Sequence, residues 1–471
     1  MSIRGMPAMR RRLAVPVCTA LGALLWAGGA SGETLVEALS DAYRSNPQIL
    51  AERSNLRATD EGVPQALSGW RPTVTATISA GPQLIETHSP FALAPKTGAI
   101  AQVQDLNVTQ PLFNGGRTVA QTAQAEKNVE AERARLIATE QTVFLSVVQA
   151  YLDVVRDQAT LELSINNEQV LRRQLDATSD QFRVGSVTRT DVAQAEARLA
   201  GATASRLQAE GNLQVSRANY ERAVGHLPEK LNQPDLHPTL PATRDDAINL
   251  AATKNPNVIA AVFAEDAARD QVDIARSQLL PTVALVGDLN RQIDSQFAHE
   301  TVKSGSLIAR VTVPLYEGGN VYSQTRQAQQ VVGQRFSQTD DARRQSVQGA
   351  TQAFEQVTAG RAQVVSLRST ISAAEIALEG VRQEATVGSR TVIDVLNAEQ
   401  ELFTDQVQLV TTQHDLSLAE FNLALQIGRL TAADLGLPVK LYDVDVHYRS
   451  VRDKWIGFGA KPGEEGADAR R

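Results

Sequence analysis
Between Pro111 and Pro228 the chain has no other proline, and its apolar residues recur on seven-residue lines: Val129, Leu136, Val143 and Ala150, then Val154, Leu161, Leu175 and Phe182, broken only by Glu168. Heptads sustained over that length predict one long helix packed in coiled-coil fashion against others. The run is interrupted at Val184-Gly185-Ser186, where glycine supplies the freedom a reversal needs and Thr188 opens the next helix. Residues 115–225 therefore read as a helical hairpin. The proline-free stretch between Pro314 and Pro438 repeats the pattern, with Val357, Val364, Ile371, Leu378 and Ala385 on one line and a break at Val387-Gly388-Ser389. It predicts a second hairpin over 318–428.

The two hairpins align at a constant offset of 203, which carries Gly115-Gly116 onto Gly318-Gly319, Gln149-Ala150 onto Gln352-Ala353, Ala195-Glu196 onto Ala398-Glu399 and Gly225 onto Gly428. Upstream the offset is 209: a short helix over 35–44, Asn46-Pro47 and a second helix to Trp70 recur as a helix over 247–254, Asn255-Pro256 and a helix to Leu280. The chain is an internal duplication, with repeats over 33–228 and 243–428. Residues 245–256 and the segment 429–471 fall outside the long columns and read as an equatorial belt. The tail from Lys461 reads as disordered.

After Pro72 the period changes to two. Thr73, Thr75, Thr77 and Ser79 alternate with Val74, Ala76, Ile78 and Ala80, a polar and an apolar face at about the length of a membrane strand. Strands are expected over about 72–84, 100–112, 281–292 and 306–316, the second with poor alternation around Asp105 and the fourth with Leu307, Ala309, Val311 and Val313 on one face. The intervening loops run from Glu86 to Gly98 and from Asp294 to Gly305. The fall in offset makes the first loop longer by six residues, a variation that marks an exposed loop. The descending helix from Gly116 to Val184 measures about 104 Å and the returning one about 57 Å, so the helix ending at Trp70, about 36 Å, is expected to stack on the returning helix. Four strands cannot close a barrel and an open edge is not tolerated in a bilayer, so several chains must pool them.

Composition narrows the class. Only 4% of residues are aromatic against 42% apolar, which suits helices packed side by side more than several large globular cores. Residues 1–32 read as a secretory signal, with Arg4, Arg10, Arg11 and Arg12 before the apolar run Leu13 to Ala27. The remainder carries 42 basic against 53 acidic residues, about −11, which argues against a nucleic-acid partner. The single cysteine, Cys18, lies in the signal, so the rest has no thiol chemistry. The six histidines show no ligand spacing, Gly115-Gly116 and Gly318-Gly319 lack the lysine of a phosphate loop, and no catalytic constellation stands out. Neither enzyme nor cofactor is expected.

The Asn-Pro dipeptides, the turns Gln110-Pro-Leu-Phe-Asn-Gly-Gly116 and Val313-Pro-Leu-Tyr-Glu-Gly-Gly319, and the tips at 184–192 and 387–395 together resemble the TolC family of bacterial outer-membrane efflux and secretion channels, over essentially the whole sequence after the signal. The resemblance implies a mainly helical fold with β-structure, in which a homotrimer joins a 12-stranded transmembrane β-barrel to a 12-helix α-barrel crossing the periplasm. It implies a passive duct in the cell outer membrane, in contact with outer-membrane lipid. A periplasmic adaptor would dock on Val184, Gly185, Ser186, Val387, Gly388 and Ser389, and an inner-membrane transporter of the RND, ABC or MFS type would supply the energy for export of drugs, small molecules or proteins. It also implies a periplasmic gate at Thr190, Asp191, Arg390 and Asp394. Ala385 stands where the family pattern can carry a tyrosine and Asn397 where it can carry a second acidic ring, so the latch would be weaker and cation selectivity would rest mainly on Asp394.

Asp191 and Asp394 have a plainer reading as well, since Thr188-x-x-Asp191 and Thr391-x-x-Asp394 fit capping boxes. For Arg390 the plainer reading is a solvated tip residue. The competing architecture is a soluble periplasmic coiled-coil adaptor without a pore, which leaves the period-two segments unexplained.

Overall fold
A computed structural model of the chain describes residues 33–85, 97–294 and 300–458. The expected signal, the loop segments holding His88 and His299 and the tail from Lys461 lie outside the described residues.

The first repeat contains α1 (Leu35–Ser45), α2 (Pro47–Asp60), α3 (Gly62–Leu67), β1 (Thr73–Ile85), β2 (Thr97–Asn114), α4 (Arg117–Arg183) and α5 (Arg189–Val224). The second contains α6 (Arg244–Lys254), α7 (Pro256–Ser277), β3 (Thr282–Ile293), β4 (Thr301–Thr312), α8 (Asn320–Thr386) and α9 (Val392–Gln426), followed by α10 (Val444–Val451). Helices α4 and α8 have the same length, 67 residues, and each starts at a left-handed glycine, Gly116 or Gly319. On α4, Val129, Leu136, Val143, Ala150 and Val154 are all buried, as the heptads require, whereas Phe182 near the tip is exposed.

The short helices stack on the returning ones through the Asn-Pro pairs. The Asn46 side chain accepts from the Gln48 N–H at 2.9 Å, capping α2, and donates through Nδ2 to the Ala223 carbonyl in the last turn of α5 at 3.1 Å. Asn255 does the same for α7 and α9, accepting from Asn257 at 2.9 Å and donating to Gln426 at 3.0 Å. One amide thus satisfies an orphan donor of one helix and an orphan acceptor of another, and proline at the first helical position removes one more N–H that would need a partner. Each returning column is two helices joined end to end, beside the single long helix α4 or α8.

The main core lies at this junction. Leu35, Leu39 and Tyr43 of α1 pack on Phe144, Val147, Val148 and Tyr151 of α4, with Tyr220 of α5 and Leu430 and Leu437 completing the cluster. Burial of side chains this large is worth roughly 1.5–3 kcal/mol each.

Three expectations need correction. The helix expected unbroken from Pro47 to Trp70 is divided into α2, α3 and a 3-10 turn at Ser68–Trp70, because Pro64 has no N–H and its ring crowds the carbonyl four residues back. Its counterpart α7 has no internal proline and is continuous. The fourth strand lies earlier than 306–316: β4 starts at Thr301, inside the expected loop, and stops at Thr312, opposite Thr282 where β3 begins. Beyond that point β3 offers no partner, and Pro314 could not donate to one. The second strand likewise begins at Thr97. The six-residue difference between the strand pairs is shared, since β1 and β2 pair from Thr73↔Thr109 to Ile85↔Thr97 and β3 and β4 from Thr282↔Thr312 to Ile293↔Thr301.

The third correction concerns the segment after Leu430, which is a strap along the column as much as a belt. Glu140 of α4 accepts from the Ala432 N–H at 2.7 Å, Arg133 pairs with Asp445 at 2.6 Å, Arg452 reaches Glu126 at 3.3 Å, and Arg71 at the foot of β1 donates to the Lys454 carbonyl at 2.7 Å. From Glu140 to Glu126 the strap climbs about 21 Å along α4.

The strands form one antiparallel sheet in the order β1-β2-β3-β4, with β1 and β4 at its edges. Register places Val74, Val108, Gly287 and Leu307 in one row and Ala76, Leu106, Leu289 and Gly305 in the next, all on one face. The other face carries Thr75, Asn107, Asp288 and Ser306, then Thr77, Asp105, Asn290 and Ser304. Asp105, which disturbs the alternation of β2 in the sequence, belongs to that polar face and faces Asn290 at 3.4 Å. On the apolar face Val74, Leu289, Leu307 and Val311 are solvent-exposed in the single chain.

Candidate functional site
Both long helices end in the same hydrogen-bonded turn. At the first tip the Gly185 N–H donates to the Phe182 carbonyl and the Ser186 N–H to Gln181, each at 2.9 Å; at the second, Gly388 donates to Ala385 at 3.1 Å and Ser389 to Glu384 at 3.0 Å. This 5→2 and 6→1 pair is a Schellman motif, and it requires the left-handed residue that both glycines supply at φ 80°. The serine hydroxyls reinforce it, each donating to the same carbonyl as its own N–H at 2.9 Å. The motif turns Val184 and Val387 outward, 81% and 79% exposed. Each tip presents an apolar side chain on a rigid turn.

The helices that leave the tips begin with their carboxylates engaged. Asp191 accepts from the Thr188 N–H at 2.8 Å and from its hydroxyl at 2.7 Å, and Asp394 accepts from Thr391 in the same way at 3.0 and 2.7 Å. The threonine hydroxyl and then the N–H hold both carboxyls below the usual aspartate range. The capping reading thus describes these residues within one chain, and it fixes two negative charges at the starts of α5 and α9.

Arg390 is held by its own hairpin: its Nε donates to Glu384 at 2.9 Å, which pushes the guanidinium pKa up, with Asp394 adding to the attraction. Thr190 is exposed and makes no side-chain hydrogen bond among the described residues. Asn397 faces the other repeat, where its Oδ1 accepts from Arg198 Nη2 on α5 at 2.9 Å. Beneath this bond Leu396 of α9 is buried against Leu171, Ala195 and Ala202 of α4 and α5. Lower on the second hairpin Arg382 pairs with Glu399.

Asp191, Asp394, Arg390 and Asn397 therefore do not bond to one another within the chain; what joins the hairpins near the tips is Arg198–Asn397 over the Leu396 seat. Sequence reasoning missed Arg198, Glu384, Arg382 and Glu399. The heptad line carries no sign of which charged residue faces a neighbouring coil, although Glu384 lies six residues before Arg390 and was within reach of a turn argument. Among the described residues no group of His, Cys, Asp and Glu is arranged to hold a metal ion.

A family model described as outer membrane efflux protein matches residues 38–226 and 247–429, one match on each repeat. The outer membrane efflux protein BepC of Brucella suis is 34% identical over 94% of this chain and 95% of its own length. The outer membrane protein TolC of Vibrio cholerae is 28% identical over 91% of this chain and 97% of its own. Among solved structures, the CmeC outer membrane channel of Campylobacter jejuni shares the fold with a TM-score of 0.76 at 15% identity, covering 94% of this chain and 98% of its own. The outer membrane protein VceC of Vibrio cholerae follows at 0.74 and 22%, covering 84% and 96%.

Proposed function
The chain belongs to the outer membrane efflux protein family, and from that premise we propose that three copies form the exit duct of a tripartite export system. It is an outer-membrane channel of the efflux and secretion type, reaching into the periplasm. The family is one of channel proteins.

The observation that carries the trimeric duct is the two-faced sheet with two unpaired edges. Its apolar rows suit lipid, its Thr, Asn and Asp rows suit a water-filled lumen, and edges in a bilayer must be paired. Three copies joined β4 to β1 supply 12 strands, and the four helical columns of each supply a 12-helix wall beneath. A heat-modifiable trimer in detergent-extracted outer membranes is the expected result; recovery of the whole protein from the soluble periplasm would reject the duct.

The duct is passive, with energy drawn from an inner-membrane transporter through a periplasmic adaptor seated on the tips at Val184-Gly185-Ser186 and Val387-Gly388-Ser389. The exposed valines on Schellman turns support that docking surface. At the periplasmic mouth, three Asp394 and three Asp191 carboxylates form the charged constriction, a route to cation selectivity, with Thr190 and Arg390 beside them. The Arg198–Asn397 bond supports a latch between hairpins at a position where an acidic ring is absent. Planar-bilayer recording of Asp394→Ala is the test: cation selectivity should fall, and unchanged selectivity and conductance would reject the gate assignment.

A further inference from the structure
On the outward face of the sheet, two cations stand directly opposite each other with no partner among the described residues. Register pairs Arg291 of β3 with Lys303 of β4, in a row with Gln104 and Ile78. Like charges at opposed positions repel across an antiparallel pair. Both are exposed, and neither makes an ion pair with a described residue. The carboxylates nearest in register, Asp105 and Asp288, lie on the lumen face. Arg291 and Lys303 border a shallow depression of about 480 Å³ with Ile78, Gln104, Leu106 and Leu289, to which Asp105 and Asn290 of the alternate rows also contribute without pairing with either cation.

The height of the pair identifies what meets it. Thr282, at the start of β3, lies at the helical end of the sheet, where Trp70 and Phe113 are exposed aromatic residues suited to a membrane interface. From Thr282 to Arg291 the strand rises about 30 Å. With a strand tilt near 40°, that is about 23 Å of height, against an apolar band of about 25 Å in such barrels. The outward rows between are apolar or small except for Gln110, beside Leu285 near the helical end, whose amide donates to the Trp70 and Pro111 carbonyls, so Arg291 and Lys303 occupy the headgroup level of the outer leaflet.

We propose that Arg291 and Lys303 form a binding site for a phosphate group of an outer-leaflet lipid headgroup, the acyl chains lying on the apolar rows of β1 to β4. A phosphate between the two cations turns their repulsion into two charge-assisted contacts. Arginine supplies the planar fork and lysine the point charge.

The test uses the detergent-extracted trimer and the variant Arg291→Gln/Lys303→Gln, with native mass spectrometry after incubation with bisphosphorylated lipid A or the same lipid enzymatically dephosphorylated. The wild type is expected to retain the phosphorylated lipid, and the variant to retain it at least about tenfold less, as loss of two charged contacts requires. Arg291→Lys/Lys303→Arg should keep most of the retention. Equal retention of both lipids by the wild type, or no change in the variant, would overturn the site. So would displacement of the lipid by millimolar inorganic phosphate with recovery of bound free phosphate. The proposal rests on outer-membrane placement, and the two fail differently: a mislocated protein is missing from the outer-membrane fraction, whereas a wrong site leaves a heat-modifiable trimer there without lipid preference. A variant that no longer forms the trimer is replaced by each single substitution, read the same way.

Discussion
Replacing Asn255 by alanine should loosen both helices that meet at it. Asn255 is 3% exposed, so water does not readily replace what its amide provides. Losing the bond to the Asn257 N–H removes a helix cap, about 1 kcal/mol. Losing the donor to Gln426 leaves a last-turn carbonyl unsatisfied, a further 1–2 kcal/mol or so. At a factor of ten per 1.4 kcal/mol, the sum of about 2–3 kcal/mol means local opening about 30- to 150-fold more frequent. Hydrogen–deuterium exchange of the trimer should show that loss of protection in peptides covering 420–430 and 256–264, with the tips unchanged. Asn255→Asp separates the two terms, because a carboxylate still accepts from Asn257 but cannot donate to Gln426. Its loss should be confined to the end of α9. If Asn255→Ala exchanges within about twofold of wild type, or Asn255→Asp matches wild type at 420–430, the end-to-end joint does not hold the column.

Four further outcomes follow from the same geometry. Gly428→Ala should lower the melting temperature far more than Gly225→Ala: both pay the left-handed penalty of about 1–2 kcal/mol, but only at 428 would the new Cβ lie 2.4 Å from a backbone oxygen, that of Lys254, against 4.0 Å to Ser45 Oγ at 225. Equal shifts would refute the close approach. His414 is buried, which disfavours its charge, yet the Asp153 carboxylate on α4, 3.0 Å from its Nε2, and the hydrogen bond between its Nδ1 and Asp415 at 2.9 Å raise its pKa above the ordinary value. The α4–α9 contact is therefore strongest below about pH 6.5 and weakens as pH rises through the raised value; calorimetry from pH 6 to 9 should show a loss that His414→Gln abolishes. The depressed carboxyls of Asp191 and Asp394 should stay charged as pH falls through the ordinary aspartate value of about 3.9, so cation selectivity in bilayers should persist from pH 7 to 4, and its loss near pH 5.5 would point to other groups. Arg198→Ala should raise the frequency of open-channel events with single-channel selectivity unchanged, and unaltered gating would remove Arg198 from the latch.

How much was legible depends on the range of the interaction that decides each feature. The hairpins follow from heptads and from Gly185 and Gly388, all local, and the structure adds only that the turns are Schellman motifs. The Asn-Pro pairs read as breaks. That Asn46 and Asn255 also donate to Ala223 and Gln426 could not be read, since those carbonyls lie more than 170 residues away. Pro64 was a local signal for the division between α2 and α3, and it was outweighed by the pattern of the second repeat. The end of β4 depends on where β3 begins, so Val313 and Leu315, apolar and alternating, read as strand although nothing pairs with them. The strap has no period to read, and its course is set by Glu140, Arg133 and Glu126 on a helix far back in the chain. Among the candidate gate residues, the caps Asp191 and Asp394 were legible, while the Asn397 partner Arg198 was not.

The unpaired flanks of β1 and β4 also constrain how the protein can reach its membrane. A lone sheet would carry two rows of bare amides into hydrocarbon, at several kcal/mol for each group left dry. A ring one member short would carry the same two rows, because adding a copy hides one pair of flanks and brings another. The penalty does not shrink step by step; it vanishes only on closure. For the proposed trimer, insertion is therefore favoured only together with completion of the ring.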